Sequence, residues 1–140
     1  MPAVVSLLGQ ELDVTVMIDG GSRPPQKLNG LVTEGILDSQ RIIVLGSIAG
    51  KGAADIEDLF DSEDYLILYN GALGASLAVS DLDAPSDRIV KRIERVAGGF
   101  NHNDPSNWLL ANRQAVIGSL RPGTLDRFEQ LIRIINGTLR

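Results

Sequence analysis

Residues 13–46, DVTVMIDGGSRPPQKLNGLVTEGILDSQRIIVLG, decide the fold of this chain. Asp13 to Ile18 alternates and is rich in β-branched side chains, which predicts a strand. It runs into Asp19-Gly20-Gly21-Ser22-Arg23-Pro24-Pro25, a cluster that only a loop accommodates. From Pro25 to Thr33 the apolar Leu28, Leu31 and Val32 recur at helical spacing, and Gly35 supplies the stop. Arg41 to Leu45, RIIVL, is a short continuous aliphatic run, as expected of a parallel strand covered on both faces. Strand, helix and strand in about 33 residues make a βαβ unit.

The surrounding composition suits such a unit. The 140 residues are 44% hydrophobic and 22% charged, enough for one domain with a real core and too apolar for intrinsic disorder. There is no cysteine, which excludes disulfides, thiolate metal sites and a cysteine nucleophile and makes a reducing cytoplasm the expected location. No apolar run approaches the ~20 residues that span a bilayer, and Met1-Pro2-Ala3-Val4-Val5-Ser6-Leu7-Leu8 lacks the basic and long apolar regions of a signal peptide. Thirteen Lys plus Arg against 18 Asp plus Glu give a net charge of −5, which argues against a surface that is nucleic-acid footprint throughout but leaves room for a local basic face.

Outward from the βαβ unit, the pattern turns helical. Pro2 to Gly9 reads as a short helix apolar on most sides, a hint that the chain is part of a longer domain. Gly46 to Ala54 reads as a loop. A helix starts at Asp61 or Ser62, buries Tyr65, Leu66, Leu68 and Tyr69, and stops at Gly74. Another is capped by Ser86 or Asp87, turns Ile89, Val90, Ile93 and Ala97 inward, and ends at Gly98-Gly99. Asp104-Pro105 opens a third, with Trp108, Leu109, Ala115, Val116 and Ile117 on its apolar side. The last runs from about Thr124 to Ile135 on Leu125, Phe128, Leu131, Ile132 and Ile135. Two parallel strands do not make a stable sheet by themselves, so further strands from elsewhere, or self-association, are expected.

Two acidic groups follow the two strands, where ligands bind in open α/β sheets. Asp19 ends the first strand, and Asp55, Glu57 and Asp58 follow the second. Carboxylates converging in a loop-lined crevice suit a hard cation such as Mg²⁺ or Mn²⁺. The bland alternatives are a turn residue at Asp19 and a solvated start to the helix over Asp55 to Asp64. Arg88, Lys91, Arg92 and Arg95 share one face at i, i+3, i+4 and i+7. That row is either a phosphate-tracking surface or the ordinary charged side of a surface helix. His102, the single histidine, lies in Phe100-Asn101-His102-Asn103-Asp104, where capping or a loop hydrogen bond is the expectation. Gly50-Lys51-Gly52 is not a P-loop, because no Ser or Thr follows Lys51, so ATP hydrolysis by this chain is not expected.

The combination of VMIDGG, an amphipathic helix, RIIVLG, ADIEDLF and DYLILYNGALG resembles the distal part of a Toprim domain. The type is that of the C-terminus of OLD-family (overcoming lysogenization defect) ATP-dependent endonucleases, and the likeness covers residues 2–75. DRIVKRIERVAG resembles the helical tail of the same group. The resemblance implies a Toprim-like α/β core over residues 1–75, an incomplete domain, with a helical extension over 76–140. It implies a divalent-metal-dependent, DNA-cleaving site using Mg²⁺ or Mn²⁺, with DNA and an ATPase domain as partners in the intact protein. The first Asp of the DxD-type motif falls on Asp19 and the later acidic position on Glu57 or Asp58. Gly21 stands where the second Asp is expected, and the glutamate-bearing strand has no counterpart, so the isolated chain is expected to be inactive. The rival within the same resemblance is a degenerate Toprim scaffold serving protein interaction or oligomerisation. A receiver-like domain phosphorylated on Asp19 fits poorly, because its early acidic pair is missing.

Overall fold

The computed structural model describes residues 14–19 and 23–139. The chain is α/β: among the described residues, seven α-helices accompany one two-stranded parallel sheet. It divides into two compact units, Met1–Asp55 with Glu129–Arg140, and Ile56–Phe128. The helix expected over Pro2 to Gly9 lies outside the described residues.

In the first unit β1 (Val16–Ile18) pairs with β2 (Ile42–Val44) in the register Val16↔Ile42, Met17↔Ile43 and Ile18↔Val44. The crossover between them is α1 (Gln26–Thr33). Its stop is the one the sequence predicts: Gly35 takes φ 74°, and the Gly35 and Ile36 N–H groups donate back to the Val32 and Leu31 carbonyls at 3.0 and 2.9 Å. A left-handed residue there closes the last turn without a Cβ penalty. Leu28 and Leu31 then bury with Val16, Ile18 and Leu37, flanked by Val14, Val32, Ile36, Ile42 and Val44.

The second strand is shorter than expected, and the residues after it are not a loop. Leu45 opens α2 (Leu45–Ala49), which buries Leu45, Gly46 and Ile48 and is closed by Gly50 at φ 69°. An aliphatic run of this length reads alike as buried strand or buried helix, because both hide every side chain. The outcome turns on Gly46, where a Cβ would stand 2.7 Å from the Lys51 carbonyl oxygen: only glycine lets the chain fold back this tightly.

In the second unit a 3-10 turn (Ile56–Leu59) leads into α3 (Ser62–Leu73), which stops at Gly74 with φ 63°. There follow α4 (Ile89–Ala97), α5 (Asn103–Ala111) and the short α6 (Arg113–Ile117). α7 (Pro122–Thr138) begins in this unit with proline in its first turn, where the missing N–H costs no hydrogen bond. The core joins Tyr65, Leu66, Leu68 and Tyr69 of α3 to Ile89, Val90 and Ile93 of α4 and to Val116. Trp108 of α5 crosses α3 at Gly71, where an added Cβ would meet the indole at 2.3 Å.

Several helix faces differ from expectation. Ala97, Ala115, Ile117, Leu125 and Ile132 are exposed, while Thr124 is completely buried. The helical period sets the angle of a side chain on its own helix but not which angle meets a neighbour.

Candidate functional site

Asp19 directly follows Ile18, the last residue of β1, and is exposed. The parallel pairing of β1 and β2 makes this the carboxyl end of the sheet, so an oxygen donor stands where open α/β sheets bind ligands. Gly20, Gly21 and Ser22 lie outside the described residues. An exposed carboxylate of this kind suits Mg²⁺ or Mn²⁺ chemically.

The acidic run over residues 58–64 sorts into two kinds of carboxylate. Asp58 is 4% exposed, and its Oδ1 accepts the N–H of Ile89 at 2.8 Å, closing the first turn of α4. Asp61 accepts from the guanidinium of Arg127 through Oδ1, and its own N–H donates to Thr124 Oγ1 at 2.8 Å. Asp64, 1% exposed, accepts the Thr124 hydroxyl at 2.6 Å and the Arg121 N–H at 2.9 Å. Arg127 Nε donates to the Leu59 carbonyl at 2.7 Å. Three aspartates at three-residue spacing are thereby committed to the N-terminal turns of α4 and α7 and to one arginine. Carboxylates favour helix N-termini because they meet the unpaired N–H groups and the positive end of the helix dipole.

Of the pair expected to bind metal, the structure therefore gives Asp58 a structural partner. Glu57 is half-buried in the 3-10 turn, its carbonyl accepting the Phe60 N–H at 3.2 Å. Among the described residues no group of three or more His, Asp or Glu side chains is gathered as a metal cage.

The row of cations on α4 is not the outward face that the spacing predicts. Arg92 is 3% exposed, with Nε on the Asp83 carbonyl at 2.7 Å and Nη1 on Ser62 Oγ at 3.1 Å. Burial of this arginine is tolerated because its planar fork finds fixed acceptors. Arg95 pairs with Asp87 at 2.7 Å and Asp83 at 3.0 Å, and Lys91 with Glu94 at 2.9 Å. The Arg95 hydrogen bond, helped by the Arg88 N–H, holds the Asp87 carboxyl below its ordinary range. Lys91, and then His102, do the same for Glu94. The two carboxylates in turn hold Arg95 more firmly charged.

His102 precedes α5 and places Nε2 3.1 Å from Glu94 Oε1. Its ring lies 5.0 Å from that of Phe100, which packs edge-on against Tyr69 at 5.0 Å. This is the loop hydrogen bond that its context predicts. Thr124, Arg121 and Arg127 are the residues that sequence reasoning missed. The one signal for them was Pro122 in a first turn, which marks a helix N-terminus but not the aspartate it meets.

Among the described residues no helix is long and apolar enough to cross a membrane. No protein-family model, curated protein or solved structure matches this chain.

Proposed function

We propose that this chain is the distal part of an OLD-like Toprim nuclease domain, supplying Asp19 as a divalent-metal ligand for hydrolysis of DNA phosphodiesters. The observation that carries the reading is the exposed Asp19 at the carboxyl end of a parallel strand, the first strand of a β1–α1–β2 unit. Of the ADIEDLF carboxylates, the ligand role passes to Glu57, because Asp58 is buried against the N-terminus of α4. A metal held by such carboxylates would lower the pKa of a bound water and offset charge on the phosphoryl oxygens. The chain's own part is to present oxygen donors from a rigid strand end and a pinned turn. With Gly21 in place of a second aspartate and no glutamate-bearing strand, hydrolysis requires residues from further sequence or from a partner that extends the sheet.

The test is calorimetric titration of Mn²⁺ into the chain beside Asp19→Ala. Sub-millimolar binding that Asp19→Ala abolishes supports the reading, and an upstream-extended polypeptide is then expected to nick supercoiled plasmid in Mn²⁺. Absence of binding defeats it.

A second reading, a Toprim-derived scaffold for protein contact or self-association, is favoured by the commitment of Asp58, Arg92 and Arg95 to internal partners. It expects no Mn²⁺ binding and a dimer or larger species by light scattering.

A further inference from the structure

We infer that Asp58 is a positioning residue, the buried cap that joins the acidic turn to α4 and so fixes the direction in which Glu57 is presented, and that it is not itself a metal ligand. The inference rests on the Toprim reading and narrows its undecided Glu57/Asp58 pair to one residue with a ligand role and one with a mechanical role.

The turn is short and held from several sides. Asp58 Oδ1 receives the Ile89 N–H at 2.8 Å, a bond across 31 residues of chain. One residue on, the Leu59 carbonyl receives Arg127 Nε at 2.7 Å, and Leu59 itself is completely buried. Two further on, Asp61 is fastened through its N–H to Thr124 and through its carboxylate to Arg127. The backbone of residues 58–61 is thus attached to the first turns of two separate helices, and Glu57 is the residue immediately before these anchors.

The same geometry argues against a ligand role for Asp58. A carboxylate that is 4% exposed and accepts a helix N-terminal N–H would have to give up that bond and rotate out of the core to reach an ion. The Ile89 N–H would then be left buried without an acceptor, at a cost of about 1–3 kcal/mol. Neighbours that orient a ligand without touching the metal typically change affinity by about 10–100-fold when removed, so a positioning role has a measurable signature.

The experiment is titration of Mn²⁺ alone into the 140-residue chain, followed by the electron paramagnetic resonance signal of the free ion, with thermal melts run on every variant. The variants are Glu57→Gln, Asp58→Asn and Asp58→Ala. Asparagine keeps an oxygen acceptor for the Ile89 N–H but removes the charge a ligand would need. The expected result is a loss of about tenfold or more in affinity for Glu57→Gln with an unchanged melt. A comparable loss is expected for Asp58→Ala, with rescue by Asp58→Asn to within about twofold of the parent.

Asp58→Asn binding as weakly as Glu57→Gln, with an unchanged melt, makes Asp58 a ligand and overturns the inference while leaving the nuclease reading intact. Parent-like binding by a folded Asp58→Ala also overturns it. If Asp58→Ala does not fold, the comparison of Asp58→Asn with Glu57→Gln still decides. A parent chain that binds no Mn²⁺ removes the nuclease reading and the inference together.

Discussion

The Asp64 carboxylate accepts the Thr124 hydroxyl at 2.6 Å across 60 residues of chain, with both side chains at or below 1% exposure. Each residue serves the other's helix. Asp64 also takes the Arg121 N–H that leads into α7, and Thr124 Oγ1 takes the Asp61 N–H at the start of α3. The two helices therefore exchange caps, and neither N-terminus is satisfied by its own preceding residue.

Thr124→Ala leaves the Asp61 N–H and one Asp64 oxygen without their buried partner, and a loss of about 1–3 kcal/mol is expected. Thr124→Ser keeps the hydroxyl and is expected to lose less than half as much. Urea denaturation followed by circular dichroism checks both; equal losses would show that the methyl group, not the hydroxyl, matters.

Gly71→Ala places a Cβ 2.3 Å from Trp108. The gain in helix propensity of about 1 kcal/mol is outweighed by overpacking, and a net loss of about 1–2 kcal/mol is expected. Trp108→Phe makes room, so the double variant should be more stable than the sum of the single losses predicts. A double-mutant cycle by thermal melting measures that coupling.

Two glycines in the first unit should respond with opposite signs. Gly30, inside α1, has nothing within 4 Å of an added Cβ, and Gly30→Ala is expected to stabilise by about 0.5–1 kcal/mol through the unfolded chain. Gly46→Ala meets the Lys51 carbonyl at 2.7 Å and is expected to destabilise by about 1–3 kcal/mol. Paired denaturation curves decide; stabilisation by Gly46→Ala would mean that the turn after α2 relaxes at little cost.

Glu94 and Asp87 both titrate below their ordinary values of 4.5 and 3.8 in the folded chain. A carboxylate whose folded pKa is depressed contributes stability above its unfolded pKa and loses it as pH falls through the folded one. Melting temperature in low salt should therefore decline as pH drops below about 4.5, and Glu94→Gln with Asp87→Asn should flatten that decline. Added salt should weaken the difference, since these pairs are solvent-facing. An unchanged acid slope in the double variant would remove the two carboxylates as its cause.

Much of the fold was legible before the structure. The βαβ order, the stop of α1 at Gly35, the span of α3 from Ser62 to Gly74 and the end of α4 at Gly98 all follow from apolar spacing and from glycines that take positive φ. The candidate site was legible only in part. Asp19 at a strand end follows from the strand itself. The fate of Asp58 does not, because its partner Ile89 lies 31 residues away and an acidic turn looks the same in sequence whether it faces solvent or caps a distant helix. Arg92 is a similar case: its spacing puts it in a row with Lys91 and Arg95, yet the Asp83 carbonyl and Ser62 draw it inside.

By itself, then, the sequence determined the α/β class, the order of the elements and the positions where helices must stop, since each depends on φ, ψ and side-chain period within a few residues. Tertiary structure alone decided that RIIVL would break into β2 and α2, that Thr124 rather than Leu125 would be buried, and that three aspartates of one acidic run would become caps and an arginine partner. Those outcomes depend on which N–H, carbonyl or guanidinium arrives from tens of residues away, and a buried polar group takes whichever partner spares it the cost of desolvation.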